Sequence, residues 1–129
     1  MAIAGRAARD AVLALDSALP FGLISAPGAG AALGGPWWRG LMARLDLPHV
    51  LDCGANAALA AWAMRQGQAY VVFEGPPAQR VSLLVLAETC GSILLLRRPD
   101  AFLLTDEPTP YRRRQLADYL AAPQPSTPN

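Results

Sequence analysis

The sequence has no lysine, one histidine and two cysteines, and these scarcities limit its chemistry. All 11 basic residues are arginine, which excludes Schiff-base catalysis and the phosphate-binding lysine of P-loop proteins. Cys53 and Cys90 lack CxxC spacing, which predicts buried free thiols in a reducing compartment. His49 starts a predicted strand, away from the expected ligand edge, so no general-base role is expected for it.

Neither positive nor negative charge is in clear excess in the sequence. The 11 basic and 10 acidic residues give a net charge of +1 and are spread along the chain, so no nucleic-acid footprint is present. The positive charge of the basic run at 112–114 is balanced by three nearby acidic residues, Asp106, Glu107 and Asp118. This pattern is typical of a solvated helix face.

The 22 uncharged residues at 17–38 are long enough to span a bilayer. Their prolines and glycines would break a helix in lipid, so no membrane segment is expected. Asp10 and Asp16 interrupt any signal-peptide core, and the sequence therefore predicts a cytoplasmic protein.

The length of 129 residues predicts one domain over residues 1–122, followed by a polar tail at 123–129 that is expected to be disordered. Short apolar runs alternate with helical patterns, which indicates an α/β fold with a mostly parallel sheet covered on both faces. Four parallel strands are predicted at 21–25, 49–53, 69–73 and 93–96. Helices are predicted at 4–19, 36–45, 57–66, 78–90 and 111–121.

The turn chemistry of Pro99-Asp100 predicts a hairpin after the fourth strand, which would add an antiparallel edge strand at 102–105. The final helix, at 111–121, can cover one sheet face through its apolar side chains. The expected architecture is three layers, α/β/α.

Ligands of open α/β sheets bind outside the carboxyl ends of the strands. This rule selects as candidate ligand-binding residues Ser25, Gly28, Gly30, Asp52, Asn56, Glu74 and Arg97. Backbone N–H groups of the glycine-rich loop at 28–35, assisted by Arg97 or Arg98, could bind an anion. No catalytic residue, metal or cofactor is expected, because no nucleophile has a nearby base and Asp52 and Glu74 alone are too few ligands for a cation.

Two further interpretations of this edge remain open. Gly28-Ala29-Gly30 followed by Asp52 is similar in spacing to a dinucleotide-binding motif, although Leu33 stands where the third glycine belongs. Alternatively, Asp52 and Asn56 only satisfy N–H groups at the turn before the helix at 57–66, with Gly54 allowing the bend. On that interpretation Cys53 points into the helix layer and is inert.

Trp37 and Trp38 are adjacent helical positions about 100° apart, so both rings are not expected in one core pocket. They are the candidate interface residues of a homodimer, since aromatic side chains are enriched at subunit interfaces.

The strings SAPGA, GGPWW and VLDCGAN resemble those of a group of small uncharacterised α/β proteins from GC-rich bacteria. The resemblance covers residues 23–75 and implies no activity. The leading hypothesis is a non-catalytic module that binds a partner or small ligand, or self-associates. The alternative is a small enzyme or anion- or nucleotide-binding protein that uses the loop at 28–35.

Overall fold

The computed structural model describes residues 1–13 and 22–99 and the backbone of residues 103–104. Six strands are present there, namely β1 (Ala2–Ile3), β2 (Leu23–Ser25), β3 (His49–Asp52), β4 (Tyr70–Val72), β5 (Ile93–Leu95) and β6 (Leu103–Leu104). The helices are α1 (Arg6–Leu13), α2 (Ala29–Leu33), α3 (Gly35–Met42), α4 (Ala57–Arg65) and α5 (Pro77–Cys90).

The strands form one parallel sheet in the order β5-β4-β3-β2-β1-β6. From β1 to β5 each strand lies beside the one before it in the chain. Right-handed crossovers in one constant direction place every connecting helix on the same sheet face. The α/β class and the parallel arrangement of the predicted strands are therefore confirmed.

The two sheet faces are both apolar, but different parts of the chain line them. The larger buried cluster joins residues of α1, α3, α4 and α5 to inward-facing strand residues such as Ile3, Leu51 and Val71. On the other face, Ala2, Ile24 and Val72 form a second buried cluster whose described members all come from strands. All the described helices that contribute to a core cluster thus pack against one face.

Local signals explain where the best-defined helices begin and end. The Asn56 side chain accepts a hydrogen bond from the Leu59 N–H at 3.0 Å, which caps α4. Pro77 occupies the first turn of α5, where its missing N–H costs nothing. Gly91 ends α5 at φ 72°, the left-handed conformation typical of a helix stop.

The predicted antiparallel edge strand is wrong. Leu103–Leu104 pairs in parallel with β1, at the sheet edge opposite β5. The chain does not turn back after β5, because Arg98 is held at the carboxyl ends of β2 and β3 by Ser25 and Asp52. The first strand, Ala2–Ile3, was not predicted at all, since two residues are too short to show a periodic pattern.

The glycine-rich loop at 28–35 is also different from the prediction, because it contains helix α2 and the start of α3. Gly28 at φ 77° and Gly34 at φ 90° bracket α2. The alanines between them have high helix propensity, which decides the conformation of this short segment. Gly35 allows α3 to approach α4, since a β-carbon at Gly35 would overlap the ring of Trp62.

Several predictions fall outside the described residues: the second half of the helix at 4–19, the helix at 111–121 and the tail at 123–129. None of the helices in the described ranges has the length and hydrophobicity needed to cross a lipid bilayer.

Candidate functional site

Three of the predicted site residues meet at the carboxyl edge of the sheet. Ser25 ends β2, Asp52 ends β3, and Glu74 follows β4. The Ser25 hydroxyl accepts a hydrogen bond from the Asp52 backbone N–H at 2.8 Å, which ties neighbouring strand ends together. The Glu74 N–H donates to the Gly54 carbonyl at 2.7 Å. Parallel strands bring these side chains together as the ligand-edge rule predicts.

Arg98, on the loop after β5, joins all three. Its Nη1 donates to the Ser25 carbonyl at 2.9 Å and to the Asp52 carboxylate at 2.5 Å. Its backbone N–H donates to Glu74 Oε1 at 3.1 Å. We call this set, Ser25, Asp52, Glu74 and Arg98, the carboxyl-edge clamp.

Within the clamp, the charges of Asp52 and Arg98 are paired with each other. Asp52 Oδ1 also accepts the Gly54 N–H at 2.8 Å, so both carboxylate oxygens have a partner. The side chains of Asp52 and Arg98 are only 7% and 19% exposed, so this ion pair is largely withdrawn from water. A ligand of the Asp52 carboxylate would have to displace Arg98, and the arrangement as it stands links strand ends.

The remaining predicted ligand residues have local roles or lie apart. Asn56 caps α4 as described above. Gly30 is buried against β3, where an added β-carbon would lie 2.8 Å from the Asp52 carbonyl oxygen. Gly28 is exposed at the left-handed turn before α2, and Arg97 is exposed while its neighbour Arg98 enters the clamp.

The geometry supports the turn interpretation of the Asp52 segment. Asp52 satisfies the N–H of Gly54, whose φ of 53° makes the bend. Cys53 is 2% exposed and packs in the larger core cluster. Burial, and secondarily the negative charge of Asp52, raises the pKa of the Cys53 thiol to about 12. It is therefore not a nucleophile at neutral pH.

From the sequence, Asp52 and Glu74 are too few ligands for a cation, and Trp37 and Trp38 are the interface candidates. No group of three or more metal-binding side chains occurs within the described ranges, and the Asp52 carboxylate already binds a guanidinium. The Trp38 side chain is completely buried within the chain and offers no surface to a partner. Trp37 is half-buried against the same core, with its ring 5.7 Å from that of Trp38.

Sequence reasoning missed two features with a chemical consequence. It named Arg97 or Arg98 for an anion and placed Arg97 among the site residues, whereas the side chain of Arg98 is the one that contacts Ser25 and Asp52. It also passed over the amino edge, where His49 lines a pocket.

Comparison with known proteins found no matching family model, no similar curated protein and no similar solved structure. The resemblance to small bacterial α/β proteins stays a prediction.

Proposed function

We propose that this chain is a non-catalytic domain that forms a homodimer through the outer surface of α5 and the free edge of β5. The observation that carries the proposal is the exposed apolar surface of α5 beside an unpaired strand. Val81 is 64% exposed, Leu84 44% and Val85 62%, and Ile93, the first residue of β5, is 52% exposed. Contiguous apolar surface of this kind marks interaction sites in soluble proteins.

The edge strand supports a copy of the same chain as the partner. Within the described part of the sheet, β5 pairs with β4 alone. Ile93 and Leu95 direct their backbone groups to β4, so strand alternation directs those of Leu94 outward. An antiparallel pairing centred on Leu94 would exchange two backbone hydrogen bonds with the second copy. The three residues of β5 include no charged residue and no proline, two of the features that protect other edge strands from pairing.

The side chains of α5 are self-complementary under the same twofold axis. Leu83 and Ala87 face the core, and Arg80, Leu84 and Glu88 form a ridge at four-residue spacing along one flank. Right-handed crossovers place that flank on the side of the free sheet edge. Antiparallel ridges centred on Leu84 would bring Arg80, whose Nε donates to the Gly75 carbonyl at 2.8 Å, opposite Glu88 of the partner subunit. Opposite charges would then meet at both ends of the contact.

Sedimentation equilibrium with charge-exchange variants tests this interface. We expect a dimer for the native chain and weaker dimerisation for Arg80→Glu and for Glu88→Arg, because each places like charges opposite one another. The double variant should regain most of the lost affinity, which a folding defect would not produce. A native chain that stays monomeric at several hundred micromolar would contradict the proposal.

Two matched leucine-to-aspartate substitutions distinguish dimerisation through this surface from nonspecific association of exposed apolar residues. Leu84→Asp should give a monomer, because it buries a carboxylate at the centre of the contact. Leu33→Asp changes a residue that is similarly exposed, at 53%, but lies on α2, and it should leave the dimer intact. Equal effects of the two substitutions would show that α5 is not the interface.

The alternative, an enzyme or nucleotide-binding protein at the carboxyl edge, has less support. Ser25, Asp52 and Glu74 do converge, but Arg98 occupies the space between them. Helix α2 fills much of the loop that would hold phosphates.

We also propose that the chain has three layers, with the helix predicted at 111–121 packed on the second sheet face. Its support is that the second cluster draws its described members from strands, while the described helices pack on the opposite face. The two free thiols are compatible with the proposed cytoplasmic location.

A further inference from the structure

A pocket of about 250 Å³ opens at the amino edge of the sheet, opposite the carboxyl-edge clamp. Helix α3, the start of β3 and the segment after α4 line this open depression. Its lining residues are Arg39, Met42, Ala43, His49, Gln66, Gly67 and Gln68. None of these lining residues belongs to the carboxyl-edge clamp or to the proposed dimer surface.

The side chains of His49 and Gln68 are held in position at one end of this pocket. Gln68 is 2% exposed, and its amide nitrogen contacts His49 Nδ1 at 3.2 Å and donates to the His49 carbonyl at 2.9 Å. The same amide nitrogen also donates to the Tyr70 carbonyl at 3.2 Å, so its two hydrogens are engaged by backbone carbonyls and the Gln68 side chain is held beside the imidazole. The ring of Trp38 packs edge-on at 6.2 Å and holds the imidazole from another side.

Positive charge in the pocket is not neutralised. Arg39 Nη1 donates to the Gln66 carbonyl at 2.7 Å, which orients the guanidinium and uses one of its five N–H groups. Neither Arg39 nor His49 forms an ion pair with a carboxylate within the described ranges. They are the titratable side chains among the lining residues.

We propose that this pocket binds a compact oxyanion, a carboxylate or phosphate group, between the Arg39 guanidinium and the His49 imidazole. The planar fork of arginine matches the geometry of both groups. The pocket is small for a drug-sized ligand, for which volumes of about 300 Å³ or more are usual, and suits a small metabolite.

Protonation of His49 should be coupled to binding. Burial, and secondarily the charge of Arg39, lowers the pKa of His49. A bound oxyanion adds negative charge beside the imidazole and favours its protonated form, so it should raise this pKa. By linkage, the oxyanion should bind more tightly as pH falls through the His49 pKa.

NMR titration of the single histidine provides the test. Inorganic phosphate and acetate are titrated separately at constant ionic strength, with chloride as the balancing anion. We expect a saturable change in the His49 ring resonances and an upward shift of its pKa with at least one of the two. A linear, unsaturated response to both would overturn the proposal.

Two variants give the result its specificity. Arg39→Gln should weaken binding about tenfold to a hundredfold through loss of a charge-assisted contact. Arg65→Gln removes the same charge from an exposed position at the end of α4, outside the lining residues, and should bind as the native chain does. If Arg39 serves only to cap the carboxyl end of α4, Arg39→Gln will lower stability without changing the phosphate or acetate response, and the site does not exist.

Discussion

At the scale of single residues, Cys53 shows how burial changes the ionisation of a side chain. Its pKa is raised from 9.0 to about 12, chiefly by burial and then by Asp52. In the unfolded chain the thiol loses its proton near pH 9, while the folded chain keeps it. The contribution of Cys53 to stability is therefore complete below pH 9 and is lost as pH rises toward 12.

We predict that the free energy of unfolding falls faster above pH 9 for the native chain than for Cys53→Ala. The difference in slope should approach about 1.4 kcal/mol per pH unit, as one proton per molecule requires. Urea unfolding between pH 7 and pH 11 measures it. Cys90→Ala is the control, because that thiol is only half-buried. Parallel pH profiles for native and Cys53→Ala chains would contradict the assignment.

The residues that converge at the carboxyl edge could be predicted, because parallel strands bring their ends together whatever the surrounding detail. Ser25, Asp52 and Glu74 needed only strand order and direction. The inward arginine could not be chosen, since a shift of one residue in the end of β5 exchanges Arg97 and Arg98. The burial of Trp38 was equally out of reach, because it depends on how α3 packs against the core.

At the scale of elements, the loop after β5 is held by a few polar contacts to Ser25, Asp52 and Glu74. Removing one partner from a largely buried ion pair leaves the other charge without compensation. We predict that Arg98→Met lowers the free energy of unfolding by roughly 2–4 kcal/mol, less than for a fully buried pair because Arg98 is 19% exposed.

A double-mutant cycle checks this prediction by urea unfolding. Asp52→Asn keeps an oxygen for the Gly54 N–H while removing the charge, so the double variant with Arg98→Met should recover part of the loss. Strictly additive losses would mean that the ion pair contributes nothing beyond its separate contacts.

Strands β2 to β5 and helices α4 and α5 could be predicted because each has its own local signal, such as an apolar run, an N-terminal cap or a terminal glycine. The hairpin after β5 failed for the opposite reason. Its Pro99-Asp100 turn chemistry is a local preference, and tertiary contacts made by Arg98 decide the path of the chain instead.

At the scale of the whole molecule, the two faces of the sheet draw on different parts of the chain. If the segment at 111–121 covers the second face, its deletion exposes Ile24 and Val72, which are now 3% and 0% exposed. We predict that deleting 111–129 lowers the free energy of unfolding by roughly 2–5 kcal/mol and produces binding of the dye ANS, which reports exposed apolar surface.

Deletion of 123–129 alone is the control and should change neither property, because this tail is polar and proline-rich. Leu116→Asp provides a second test in the full-length chain and should act in the same direction as the larger deletion. Native stability without dye binding in both altered chains would mean that another segment covers this face.

The strand order has a consequence for synthesis on the ribosome. From β1 to β5 the newest strand always docks on the one made just before it, so the sheet can lengthen as the polypeptide emerges, with little waiting for distant segments. Only β6 must travel to the oldest strand, on the far side. During synthesis the sheet therefore extends from β1 to β5 first. The pairing of β6 with β1, at the opposite edge, forms last.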